Sequence, residues 1–472
     1  MTTRERTIFG ICILVLVLEF FLLMDIPAFW DAKSKFSRAN WLFESDFEQL
    51  VVPTEYNSGH PPLWIWSIAL FWKGLGKAIW SARLLLLIVN IGVIYQLLSL
   101  FKKTKLPKVP EIVILLLFIE PTLVAQTTSL NNDMLLLFFS LLGMNSLLKN
   151  NWIWYAVGIT GLVFTNLRGI YISIAFICIH ILYIRYAILE SKRKMYYSYG
   201  VGLSIFLLFL MYQYQELGWV LITKNESYSQ HRESTTLFNA FKNSIAFVKN
   251  LLEYGRFVIW IPLLFLLITH YKKHKKIGKQ FLILFIPLCC FLGIFFIGMV
   301  PFSNPMGTRY LMICNLIAIL LFFNVFYSRN TFFIKKQIVV FIIALSFITG
   351  HLWIYPVTIA QSWDSSLAHM RYFKLENKML AYMQQENIPS QIVGTNLPMH
   401  TRWMAYAKEK PSKENNFASP DIKENEYYLF SNIENKTADE DIVELKTHWE
   451  VVQEYTSMGV EMILYRKHHS DL

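Results

Sequence analysis

The chain has 472 residues, 54% of them hydrophobic and 16% aromatic, and its mean hydropathy is +0.38. One soluble core of this length cannot hide so much apolar surface, so a wholly soluble protein is excluded and lipid must cover much of the chain. The formal charge of +11 does not signal nucleic acid, because the lysines and arginines stand in short clusters between apolar stretches, where they act as orientation signals.

In chain order, Ile8 to Met24 is the first apolar run. It follows Arg4 and Arg6, and no small-x-small cleavage site appears before the bulky Phe29-Trp30, so it reads as an uncleaved helix with its N-terminus inside. After Asp31, the spacing of Phe36, Ala39, Asn40 and Phe43 predicts an interfacial helix. The apolar segment from Leu63 to Leu75 is short, rich in tryptophan, carries Lys73 and follows Pro61-Pro62, which predicts a helix lying in the interface plane. Further spans are predicted near 81–100, 111–126, 132–148, 152–166, 169–188, 197–213, 257–270, 280–300, 309–327 and 337–355, about eleven in all with the first. Residues 25–80 and 214–256 then form two outer loops.

Charge tests this topology, because short cytoplasmic loops hold the excess Lys and Arg. The inner loops carry Lys102, Lys103, Lys105 and Lys108, then Lys149, then Arg185, Lys192, Arg193 and Lys194. They continue with Lys272, Lys273, Lys275, Lys276 and Lys279, and end with Arg329, Lys335 and Lys336. Every inner loop is basic. Counting Leu63 to Leu75 as a span would put the first four lysines outside.

The pattern changes after Tyr355-Pro356. A transmembrane domain over 1–355 gives way to a small soluble α/β domain over 356–472, on the outer face. Its predicted elements are an amphipathic helix over 364–387 and strands at QIVGTN, YYLFSN, WEVVQEYT and VEMILYRK. It holds no glycine-rich phosphate loop and no HExxH, and the chain shows no internal repeat of the inverted-transporter kind. Cys12, Cys178, Cys289, Cys290 and Cys314 all lie in apolar stretches without CxxC spacing, so neither a disulfide framework nor a zinc site is indicated.

Ionisable groups at the outer ends of spans are the informative ones, since charge at membrane depth is costly. Asp31 is placed to act as general base on a hydroxyl or amine, or to cap the interfacial helix, and spacing leaves both open. Asp133, after Ser129, Asn131 and Asn132, carries the same ambiguity. His60 precedes Pro61-Pro62 at headgroup depth, where a lone histidine is more often structural than catalytic. Arg168 in FTNLRGI and Arg309 beside Tyr310 in NPMGTRYLM either snorkel to the interface or grip a phosphate.

These groups, in this order on this topology, resemble the membrane glycosyltransferases of the GT-C fold. The similarity is to the dolichyl-phosphate-mannose protein mannosyltransferase and aminoarabinose transferase family. It covers nearly the whole chain: Asp31 after the first helix, His60-Pro61-Pro62-Leu63 opening a juxtamembrane helix that ends in glycine, then Ala82-Arg83. Pro121 to Asp133, Arg168 and Arg309-Tyr310 complete it.

The resemblance implies a sugar donor on a polyprenyl phosphate, a lipid, glycan or protein acceptor, and a bacterial inner membrane setting with the C-terminal domain outside. It implies Asp31 as general base, Asp133 as a second acidic residue binding acceptor, donor or metal, and His60, Arg168, Arg309 and Tyr310 as substrate contacts. Two departures stand out. The family often writes Asp-Glu where this chain has Asp31-Ala32, and lysine where it has Arg168. The missing glutamate's role is vacant or moved to Glu44, Asp46, Glu48 or Glu55, so no cofactor is certain and a divalent metal stays open. Rival readings are a lipid-linked polysaccharide polymerase or ligase, which needs no acid after the first helix, and a transporter or flippase, which usually carries charge near mid-membrane.

Overall fold

The computed structural model describes residues 2–274, 278–303, 306–328, 335–396 and 417–468. Its first helix, α1 (Thr3–Leu23), opens on a reciprocal cap: the Glu5 amide donates to the Thr2 hydroxyl at 3.1 Å and the Thr2 amide to the Glu5 carboxylate at 2.7 Å. Two helices follow before the next span, α2 (Asp31–Glu44) and α3 (Leu63–Leu75), packed on one another through Phe36 and Trp72, whose rings lie 5.5 Å apart. With 13 residues α3 is about 20 Å long, short of the about 30 Å apolar core of a bilayer. Pro62 precedes it and Gly76, at φ 93°, ends it in a conformation that a side chain would strain.

The helical body continues through α4 (Ile79–Thr104), α5 (Ile114–Phe118), α6 (Pro121–Thr128), α7 (Asp133–Leu148), α8 (Trp152–Thr165), α9 (Leu167–Arg185) and α10 (Arg193–Leu217). A single turn, α11 (Glu226–Ser229), leads to α12 (Leu237–Leu252), α13 (Phe257–His274), α14 (Lys279–Met299), α15 (Met312–Ser328) and α16 (Lys336–Gly350). Among the described residues α1, α4, α9, α10, α14 and the stretch Thr308–Ser328 are each long and apolar enough to cross a membrane. Helices α7, α8 and α16 are shorter apolar helices, and two further pairs of helices, apolar enough when taken together, are bent at a short break. This is a polytopic α-helical membrane fold.

One predicted span is corrected. Residues 111–126, read as a single helix, break into a stretch ending at Phe118 and α6, inclined at 56°. Pro121 has no N–H to extend the preceding helix, and Glu120 starts α6 by accepting the Leu123 amide at 2.7 Å. The second bend, 101°, separates α12 from α13 and turns α12 across the spans, with Leu237, Phe238, Phe241 and Ile245 exposed on one side. Arg256, buried at that corner, pairs with Glu120 at 2.5 Å and bonds Thr122, so one guanidinium ties the two bends together.

The basic loops meet at one end of the body. Lys103 donates to the Asn145 side chain at 2.6 Å, Gln280 to the Thr104 carbonyl at 3.1 Å, and the Leu106 amide to Asn324 at 2.8 Å. The N-termini of α2, α7, α9 and α15 gather at the opposite end.

Beyond α16 come two single turns, Trp363–Ser365 and Leu367–His369, and then α17 (Met370–Gln385). The sheet comprises β1 (Val393–Thr395), β2 (Tyr427–Ser431), β3 (Trp449–Ser457) and β4 (Val460–Lys467) in the order β1-β2-β4-β3, with α18 (Asp439–His448) before β3. β1 runs parallel to β2 and the other pairs are antiparallel, which makes the predicted α/β module. The β3–β4 hairpin closes through Met458 and Gly459, both at positive φ, as a tight two-residue turn requires.

The helix expected over 364–387 starts only at Met370. Ser366 is extended (φ −145°, ψ 163°) and its hydroxyl accepts the Ala368 amide at 3.3 Å, so residues 363–369 turn separately. α18 has no counterpart in the sequence reading, because only Ile442 and Leu445 of its ten residues are buried and the apolar period is too short to stand out. The module rests on the start of the body: Phe29 packs against His369 and Tyr372 at ring distances of 5.1 and 6.0 Å.

Candidate active site

Asp31 and Asp133 are the first residues of α2 and α7, yet neither caps its helix. The N-cap positions are Trp30, at φ 44°, and Asn132, and neither makes a side-chain cap. The capping alternative is therefore overturned for both. Their carboxylates are engaged across the structure instead.

The hub is Arg309, in a single 3-10 turn (Thr308–Leu311) that leads into α15 and is only 6% exposed. Its Nη2 pairs with Asp31, its Nη1 with Asp364, and its Nε lies 3.2 Å from Asp133 Oδ2. The other Asp133 oxygen takes Nη1 of Arg168 at 2.7 Å. Arg168 stands at the start of α9, where Asn166 accepts its amide at 3.0 Å, and its guanidinium lies over the Tyr310 ring at 3.7 Å. Asp31, Asp133, Arg168, Arg309 and Tyr310 thus form one constellation.

Four residues join it that sequence reasoning missed. Lys35 and Arg38 follow Asp31 by four and seven positions, so they share its face of α2. Lys35 donates to the Asn131 side chain at 2.5 Å; Arg38 donates to the Ser34 carbonyl at 3.0 Å and to the Ser58 hydroxyl. That spacing was legible. Arg232 donates to the carbonyls of Leu221 and, at 2.8 Å, Ser58, and Asp364 arrives from beyond α16; neither had a local signal. Asp364 lies beyond the predicted 1–355 domain, which contains all the site candidates singled out in the sequence. Among the described residues no carboxylate lies within ion-pair distance of Lys35, Arg38 or Arg232.

The electrostatics follow from these contacts. Desolvation alone would raise the pKa of Asp31, but its side chain keeps 54% of its surface open, and the charges of Arg309 and Lys35 hold it well below the usual carboxylate range. Lys35 is lowered to about 7, chiefly by burial, with Asp31 opposing and Arg309 adding to the shift. His60 lies among Arg232, Arg38, Lys35 and Arg168; burial first, then these cations, hold it well below its ordinary value, so it is neutral. Among the described residues its buried Nδ1 has no hydrogen-bond partner, which suits contact to a ligand through a neutral ring.

A divalent metal does not fit this set. Asp31, Asp133 and Asp364 do converge, but on a guanidinium, and among the described residues no group of three or more His, Cys, Asp or Glu side chains gathers to hold a metal ion. Glu44 and Asp46 sit at the other end of α2, about 20 Å from Asp31, on Lys77 and Lys73. Glu48 and Glu55 are exposed.

Fold and site together define a class: a polytopic α-helical membrane protein with a small α/β module, whose cation-rich polar site lies at one end of the spans. Among solved structures the chain is similar to ArnT from Cupriavidus metallidurans bound to undecaprenyl phosphate, with 12% identity and a TM-score of 0.53 over 100% of this chain and 99% of that one. The apo state of the same protein gives 11% identity and a TM-score of 0.56, with 99% of each chain covered. At such identity the likeness is one of fold. No family model and no curated protein sequence matches the chain.

Proposed function

We propose that the chain is a membrane glycosyltransferase that moves a sugar, hexosyl or pentosyl, from a polyprenyl-phosphate donor to an acceptor on the outer face. One observation carries this reading: Arg168 and Arg309 pair with the three carboxylates, while Lys35, Arg38 and Arg232 gather about His60 with no carboxylate within ion-pair distance among the described residues. A surplus of positive charge in a largely buried site calls for an anionic ligand. A lipid phosphate has that charge and reaches the ends of spans from the bilayer. The ArnT of similar fold binds undecaprenyl phosphate.

The chemistry is then a displacement at the anomeric carbon. Asp31 takes the proton of an acceptor hydroxyl or amine, the acceptor's oxygen or nitrogen bonds the anomeric carbon, and the carbon–oxygen bond to the phosphate breaks, so the polyprenyl phosphate leaves with the electron pair. The cations stabilise the charge that grows on the phosphate. Arg309 has a second part. In the free protein it holds Asp31 as a weak base; a phosphate that shares its donors loosens that hold and restores basicity when the donor is in place. A single base opposite the leaving group gives inversion.

The direct test offers the purified protein, in lipid nanodiscs, a panel of radiolabelled polyprenyl-phosphate hexoses and pentoses. Consumption of one of them is expected; a folded protein that binds no polyprenyl phosphate and consumes none sinks the proposal.

The orientation and the division into a 1–355 transmembrane domain and a 356–472 outer domain belong to the same proposal, supported by basic loops that share the end remote from Asp31. In a background without native cysteines, single cysteines at positions 60 and 105 are expected to label from opposite sides. Labelling from one side contradicts the topology.

A further inference from the structure

Asp364 lies outside the transmembrane body's own sequence, on a strap between α16 and α17, yet it is 1% exposed and bound to the hub arginine. The strap is fastened on both sides of it. The Gln126 side chain donates to the Asp364 carbonyl at 2.7 Å, Asn131 reaches its carboxylate at 3.4 Å, and the Thr122 hydroxyl donates to the Ser365 carbonyl at 3.3 Å. The Thr308 amide donates to the Ser362 hydroxyl at 3.1 Å, which locks the strap to the turn that carries Arg309. From the other direction Gln361 and Asn435 bond each other, linking the strap to the β-sheet module.

We propose that Asp364 is a positioning residue: it anchors Nη1 of Arg309 from within the protein, so that Nη2 is presented to Asp31, the half-exposed side where a phosphate arrives. This inference rests on the polyprenyl-phosphate reading only for the identity of that arriving group. A guanidinium has five N–H donors in a fixed plane, and fixing one edge sets where the other edge points. Three carboxylates on one arginine therefore differ in role. Asp133 is shared with Arg168, Asp31 is open to the site, and Asp364 is the fixed anchor. The strap beyond α16 thus contributes the Asp364 side chain to the site.

A hydrophobic carbodiimide labels protonated carboxyls, so mapped labelling of Asp31 in the full-length protein at mildly acidic pH reports how firmly Arg309 holds it. Asp364→Asn is expected to raise Asp31 labelling about tenfold, the change produced by one unit of pKa when the arginine contact is lost. Asp364→Glu, which keeps the charge, is expected to stay within about twofold of the wild type. A bystander carboxylate gives the opposite sign, because removing its negative charge lowers the Asp31 pKa and reduces labelling. A fall, or no change, in folded Asp364→Asn overturns the proposal. Should that variant not fold, Gln126→Leu, which removes the bond to the Asp364 carbonyl at similar volume, is expected to show the same rise, and no rise there overturns it equally. The labelling needs neither donor nor sugar, so failure of the polyprenyl-phosphate reading leaves this result standing.

Discussion

Asp31→Asn is expected to lower turnover by about two to four orders of magnitude while donor affinity changes little. Asparagine keeps the shape of the side chain and an acceptor for Arg309 but has no basic electron pair. Because Asp31 is half exposed and Arg309 keeps Asp133 and Asp364, the fold should tolerate the change. The pH dependence sharpens the test. A carboxylate held well below its usual range stays ionised down to the ordinary value of about 4, so the free enzyme should show no acid limb from Asp31 between about pH 5 and 7. On the alkaline side Lys35, lowered to about 7, loses its proton as pH rises through that value, so donor affinity should fall there. In Lys35→Arg the charge persists and this limb should vanish. A folded Asp31→Asn variant with near-normal turnover eliminates Asp31 as the base.

Arg309→Ala is expected to remove both donor binding and part of the stability of the fold. The substitution leaves Asp364 buried without its arginine, and breaking a buried ion pair by deleting one partner costs about 3–5 kcal/mol. Asp133 suffers less, since Arg168 remains on it at 2.7 Å. A group that grips the phosphate does so both before and during departure, so its loss should weaken undecaprenyl phosphate binding as well as slow transfer, unlike the loss of the base. The contrast between the two variants is the useful result. Binding of undecaprenyl phosphate and the thermal midpoint, measured side by side in detergent, would refute the hub role if both stayed at wild-type values in Arg309→Ala.

Much of this protein was legible in its residues. Long apolar runs, the basic loops between them, the proline-led α3 and the strand alternation of the C-terminal module are local patterns, and each is enforced by water, lipid or backbone chemistry acting on neighbouring positions. Lys35 and Arg38 were also within reach, since helical spacing alone puts them beside Asp31. The break at Pro121 was there to read, yet the apolar run across it outweighed a single proline.

The assembled site was decided by the tertiary structure. Asp31 and Arg309 lie 278 positions apart, and Arg309 and Asp364 lie 55 apart with both α15 and α16 between them. Nothing local marks Asp364, because a carboxylate in a polar stretch looks the same whether it faces water or a buried guanidinium. Whether Asp31 capped a helix or served a site likewise turned on its partner rather than its neighbours. An ion pair is a relation between two distant groups brought within a few ångströms, and only the packing of the spans fixes which groups those are.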